Sequence, residues 1–315
     1  MMKKLVHLSF ILCVLPLLTL AQDKDWEAVD FVDDYKVKYK ISGGAAKELM
    51  KNPTFINDYS ISQATLMKGS SQPGTLQKQG TGAVFAEAVL GGVSKEAFQA
   101  MVEECHEHFK SQLEAIGFNL TDGKDVVNSK FAQKKKGKKK TLIGQTPDEP
   151  IFEKIGFIQG SDIKEVLHFR PKNQYVAASW KDVSTIVFRL SGKADVNTIS
   201  INYKVRFANF EGIKKGLSEN ILKTQAGLSI IPTIEIINPK GKKSMVFVKK
   251  RIYGGNSWAK GMVKTSEKDG DWLGLSSSAD YALAADSDAF IRELKSIIIA
   301  FQNDLIKGLE EEIKG

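Results

Sequence analysis

The stretch Ile199-Ser200-Ile201-Asn202-Tyr203-Lys204-Val205-Arg206-Phe207 decides the fold class. Apolar side chains hold every odd position and polar ones every even position. Side chains alternate across a strand, so this period of two predicts a strand with one buried face and one wet face. Phe210-Glu211-Gly212 closes it. Outward from it, residues 228–237 read as a further strand, with Pro232 marking an edge or a bulge. Pro239-Lys240-Gly241 reads as a turn, and residues 245–253 as the returning strand. On the other side, Val183-Ser184-Thr185-Ile186-Val187-Phe188-Arg189-Leu190 reads as a strand ended by Ser191-Gly192. Strands joined this closely imply an antiparallel meander.

Two helices complete the expectation. Residues 82–90 form an apolar run of strand length, broken by Gly91-Gly92. Ser94 then stands as an N-cap. Phe98, Met101, Val102, Cys105, Phe109, Leu113 and Ile116 follow as one helical stripe, and Gly117 ends it. Phe118-Asn119-Leu120-Thr121-Asp122-Gly123 continues as a short strand and turn. From Asp286 to Ile313, Phe290, Leu294, Ile297, Ile298, Phe301, Leu305, Leu309 and Ile313 make a second stripe. The expected fold is α+β: a mainly antiparallel sheet packed by two amphipathic helices. Residues 254–286 read as loop.

The N-terminus reads as a signal peptide over residues 1–21. Lys3 and Lys4 precede an apolar stretch, and Thr19-Leu20-Ala21 suits cleavage before Gln22. Cys13 lies inside the apolar stretch, not after it, so the reading is export without a lipid anchor. Cleavage would leave one cysteine, Cys105, and no internal disulfide. Residues 22–80 read as an N-terminal arm or edge segment. Residues 81–315 read as the main domain, with a Lys-rich loop at 123–150. The expected location is periplasmic or secreted, or peripheral on the outer membrane, with no span once the leader is removed. The compact leader and scarce cysteines suit a Gram-negative bacterium.

The chain carries 45 Lys plus Arg against 37 Asp plus Glu, a formal charge of +8. Two of the eight are Lys3 and Lys4, in an acid-free leader. The other six are Lys134, Lys135, Lys136, Lys138, Lys139 and Lys140, and the rest of the chain balances. A neutral body with no aromatic in its basic run argues against nucleic acid. The six lysines are read as a solvated loop that could touch an anionic surface or polymer, in a salt-sensitive way.

Other motifs are thinner. Glu103-Glu104-Cys105-His106-Glu107-His108 holds metal-ligand types, but His106 and His108 point about 160° apart on a helix. Glu104 and His108, at i and i+4, can meet on one face but make at best half a site, and no metal or cofactor is expected. Ser161-Asp162-Ile163-Lys164 and Ser257-Trp258-Ala259-Lys260 each match Ser-x-x-Lys without the motifs that accompany it in penicillin-binding enzymes. No nucleophile elbow, P-loop or His-Glu-x-x-His is present. Trp258 and Trp272 stand on Gly-rich loops with Tyr253 nearby, which marks them either as partner contacts or as caps on the sheet core.

The strand, helix and Gly117-Phe118-Asn119-Leu120-Thr121-Asp122 unit resembles small envelope α/β domains of the curli-secretion lipoprotein and TolB N-terminal type. The likeness covers about 40 residues of pattern, without the lipid-anchor cysteine. It implies a helix leading into a sheet and transfers no functional residue. The expected function is a non-enzymatic envelope protein that binds a protein partner or an anionic surface polymer. Alternatives are a hydrolase using carboxylates that the sequence does not reveal, and a self-assembling subunit using the C-terminal helix.

Overall fold

A computed structural model describes residues 38–40, 49–71, 84–135, 144–155, 162–177, 183–215, 219–248, 251–268 and 277–314. Strands dominate them, mostly in one sheet of 12 strands. In chain order they are β1 (Lys38–Lys40), β2 (Thr54–Ser71), β3 (Val84–Gly91), β4 (Leu120–Thr121), β5 (Gly144–Gln145), β6 (Ile151–Lys154), β7 (Ile163–Phe169) and β8 (Tyr175–Val176). Then come β9 (Asn197–Lys215), β10 (Glu219–Ile237), β11 (Lys243–Phe247), β12 (Ile252–Tyr253), β13 (Ala259–Lys268) and β14 (Ser277–Ala285). The spine of the sheet runs β1-β11-β10-β9-β2-β3-β14-β13, with β4, β7 and β12 at its flanks, β6 on β7, and β5–β8 as a separate pair.

The pairing is largely antiparallel, led by the 19-residue strands β9 and β10. Three pairings are parallel: the short one of β4 with β2, and two longer ones that break the expected meander. β2 runs alongside β9 from Thr54 to Gln63, and β3 alongside β14. Pro232 sits in a strand flanked on both sides. It falls between the residues of β10 that pair with β12 and those that pair with β11, where that side of the strand has no ladder partner among the described residues.

Five helical segments are described: α1 (Lys95–Ala115), α2 (Lys124–Asn128), α3 (Lys130–Lys135), α4 (Val183–Ala194) and α5 (Ser287–Lys314). Ser94 caps α1 by accepting from the Ala97 amide, and Gly117 takes up the left-handed φ of +97° after its end. Asp286 caps α5 by accepting from the Ala289 amide at 3.1 Å. Both apolar stripes are buried as their spacing predicts, and they form one core with the sheet. No helix among the described residues is long and apolar enough to cross a membrane.

A second, smaller core gathers Phe55, Val126, Val127, Ala132, Val187, Leu190 and Ile237. Phe55 belongs to it and Ile56 to the main core, as do Ile237 and Ile236 in turn. Adjacent strand residues point oppositely, so the small helices α2, α3 and α4 lie on the other face of the sheet. Gly123 serves this packing. Its φ is +77°, and a Cβ there would lie 1.9 Å from Phe55 Cε2.

Several expectations are corrected. Residues 183–194 are helix, not strand: the buried Val187 and Leu190 follow a helical period that the β-branched composition disguised. Residues 259–268 and 277–285 are strands, not loop. They carry few apolar residues because β13 ends the sheet's spine. The segment read as an arm or edge divides in two. β1 is at the end of the sheet, but β2 is at its centre, with β9, β7 and β3 all paired to it. The Lys-rich loop begins as α2 and α3. The leader lies outside the described residues.

Candidate functional site

Three of the four even positions of residues 199–207, in β9, are not wet. Ser200, Asn202 and Arg206 are buried, and so are Asp58, Ser60 and Ser62 of β2 beside them. The second face of the sheet is therefore a strip of buried polar groups, which is stable only if they satisfy one another. The segment from Arg170 to Ala177 covers part of it: the Ala177 amide donates to Asn57 Oδ1 at 2.9 Å, and Asn57 Nδ2 donates to Ser200 Oγ at 2.9 Å.

Strand register builds the centre of this strip. Ser62 stands opposite His168 of β7 on one side and Lys204 of β9 on the other. Ser62 Oγ lies 2.8 Å from His168 Nδ1, and His168 Nε2 lies 2.9 Å from Glu153 Oε2 on β6. An ionised carboxylate can only accept, so Nε2 carries a hydrogen, and in the neutral ring Nδ1 accepts from the Ser62 hydroxyl. Asn202 Nδ2 donates to both Ser62 Oγ and Ser60 Oγ at 2.8 Å. Asn202 Oδ1 is buried with no hydrogen-bond partner among the described residues. The result is one relay from the half-exposed Glu153 carboxylate into the middle of the sheet.

Two ion pairs flank the relay. Arg170 Nε donates to Asp58 Oδ1 at 2.8 Å, with both side chains buried. Arg206 pairs with Asp162, and Arg251 lies 3.9 Å from the same carboxylate. Burial, and then the charge of Arg251, pull the Arg206 guanidinium down to about 9. A shallow hollow beside the relay is lined by Gln99, Pro147, Glu149, Ile151, His168 and Arg170, among others. Gln99 shapes it by donating to the Arg170 carbonyl at 2.7 Å.

Carboxylate, imidazole and hydroxyl in this order can move a proton along the strip. Ser62, however, is only 2% exposed, and its oxygen already accepts from Asn202. The relay opens to solvent at Glu153, not at the hydroxyl. The open end is β6, which pairs with β7 and with no other described strand. Its Ile151 and Phe152 are 39% and 52% exposed, on opposite faces of the strand.

The residues singled out by sequence fare differently. Trp258 is fully buried, edge-on to Phe290 at 4.9 Å, and donates from Nε1 to the Gly255 carbonyl, so it caps the core and offers no surface to a partner. Tyr253 is exposed, at the Arg206 end of the polar strip. Trp272 and Lys136, Lys138, Lys139 and Lys140 lie outside the described residues. Lys134 and Lys135 close α3. On α1, Cys105 is core, His106 packs over the Tyr59 ring, Glu104 pairs with Lys295 and His108 meets Asn303 of α5. No group of three metal-ligating side chains occurs among the described residues. In the second Ser-x-x-Lys match, Ser257 turns to Glu293 and Lys260 to Asp286, not to each other.

Comparison with known protein families, curated proteins and solved structures finds no match. Sequence reasoning missed Ser62, His168 and Glu153 because they are far apart in the chain. The one available signal was His168 at a polar position of a strand whose neighbours Val166 and Phe169 are core.

Proposed function

We propose that this is a non-enzymatic binding protein of the cell envelope that takes an extended segment of a protein partner along β6. One observation carries the reading: β6 is a strand with an unpaired side among the described residues, and its two apolar side chains, Ile151 and Phe152, are both exposed. An added strand would draw its affinity from main-chain hydrogen bonds and its specificity from those side chains. The leader and the likeness of the α1 unit to envelope domains support the setting. The lysine run of residues 134–140 would act as a salt-sensitive tether to an anionic surface, secondary to β6.

A photo-crosslinking residue placed at Phe152 tests this in the envelope fraction. The expected result is one dominant adduct, lost when a charge is placed at Ile151 (Ile151→Asp). A probe at Val263 on β13, also exposed, is the control. Equal, diffuse labelling from both positions would overturn the reading. Capture of polysaccharide instead of protein would assign the edge to the anionic polymer.

A further inference from the structure

We infer that the Glu153–His168–Ser62 relay makes the seating of β6 pH-dependent, so that mild acid holds this strand more firmly to the sheet. The inference rests on the binding role proposed for β6 and concerns its regulation. Beyond the short ladder of four residue pairs with β7, the Glu153 carboxylate on the His168 ring ties the outward-facing strand to the centre of the sheet. That bond is a neutral-ring hydrogen bond when His168 is uncharged. It becomes an ion pair when the ring takes a second proton.

The network accommodates both states. In the neutral state, Asn202 Nδ2 donates to Ser62, Ser62 donates to His168 Nδ1, and His168 Nε2 donates to Glu153. In the charged state, His168 Nδ1 becomes a donor and Ser62 must turn its hydrogen elsewhere. The buried Asn202 Oδ1, unpartnered among the described residues, is the acceptor it needs. An amide rotation of Asn202 puts that oxygen between Ser60 and Ser62, each of which can then donate to it. The chain of bonds reverses direction, and the imidazolium has an acceptor at each nitrogen.

Among the described residues, the charges around the ring are of both signs. Glu153 faces it from β6, Glu149 and Arg170 share its hollow, and Lys204 stands across Ser62 on β9. Arg170 is already matched by Asp58. The carboxylate in direct contact therefore sets the sign: between the titrations of Glu153 and His168, β6 is at its tightest. Above that window the ion pair reverts to a hydrogen bond, and below it Glu153 loses its charge.

Hydrogen exchange on the full chain reads this strand by strand. Protection of the β6 amides that bond to β7, corrected for intrinsic rate, should rise about threefold or more from pH 8 to pH 6, with β9 and β10 unchanged. Glu153→Gln should abolish the rise, while Glu149→Gln should keep it. A flat wild-type profile, or a rise that survives Glu153→Gln, overturns the inference. Should Glu153→Gln disturb the fold, the wild-type His168 ring decides: a neutral ring with its hydrogen on Nδ1 rejects the relay. Loss of the specific crosslink at Phe152 would remove the binding role while leaving the exchange result to stand or fall alone.

Discussion

Arg170 reaches back from the end of β7 to Asp58, in the first part of β2, and closes an ion pair at 2.8 Å in which the carboxylate is wholly buried. Removing one partner strands the other charge in a place that water does not reach. Arg170→Met should cost about 3–5 kcal/mol, whereas the double change Asp58→Asn with Arg170→Met should recover much of it. Urea unfolding of the single and double variants measures the difference. Equal losses would mean that the pair does not act as a unit.

A second buried polar knot ties α5 to the sheet. Gln302 Nε2 lies 2.8 Å from Tyr59 Oη, 3.2 Å from Tyr203 Oη and 3.2 Å from the Cys105 carbonyl, three oxygens that share its two hydrogens. Burial pushes both phenols up, and Tyr203 next to Tyr59 pushes that one further. Gln302→Leu keeps the volume but takes away the shared donor, so it should cost about 1–3 kcal/mol. Difference absorbance in base offers an independent check: neither phenol should ionise near the usual value of about 10 until the protein unfolds.

Much of the frame was legible because its signals are local. The α1 stripe, the Ser94 cap, the Gly117 stop and the α5 stripe each depend on residues within a few turns, and all of them stand where the spacing puts them. The polar strip was not legible. Alternation in residues 199–207 shows that the two faces differ in chemistry, but not that the polar one is wet. Whether Asn202 meets water or Ser60 and Ser62 depends on a strand about 140 residues earlier, and on Arg170 to Ala177 folding across it. Likewise Val183, Ile186, Val187 and Leu190 fit a helix and a strand equally well by composition. The small core around Phe55 selects the helix.

Cys105 should be inert in the folded protein. Its residue is fully buried, its thiol donates to Met101 Sδ at 3.7 Å, and burial raises it to about 12. A thiol reagent needs the thiolate at an accessible surface. No labelling is expected at pH 8 in native buffer, and in denaturant one equivalent per chain for protein beginning at Gln22, which lacks Cys13. Rapid native labelling would show that α1 opens locally, and its rate would give the free energy of that opening.

His106 should set part of the acid limit of the fold. It is packed 5.0 Å from the Tyr59 ring, and burial lowers it from 6.5 to about 4, partly opposed by Glu107. The depressed value means that the folded state resists a proton which the unfolded chain accepts. Its contribution is therefore neutral above pH 6.5 and grows more destabilising as pH falls from 6.5 to about 4, below which both states are protonated. Between pH 7 and pH 5 the loss should be about 2 kcal/mol. Most of that window lies above the ordinary titration of Asp and Glu. His106→Leu removes the titrating group while keeping an apolar contact with Tyr59. Urea unfolding at the two pH values should then show a smaller acid loss in the variant than in the wild type. An unchanged acid loss would mean that another group carries the acid limb.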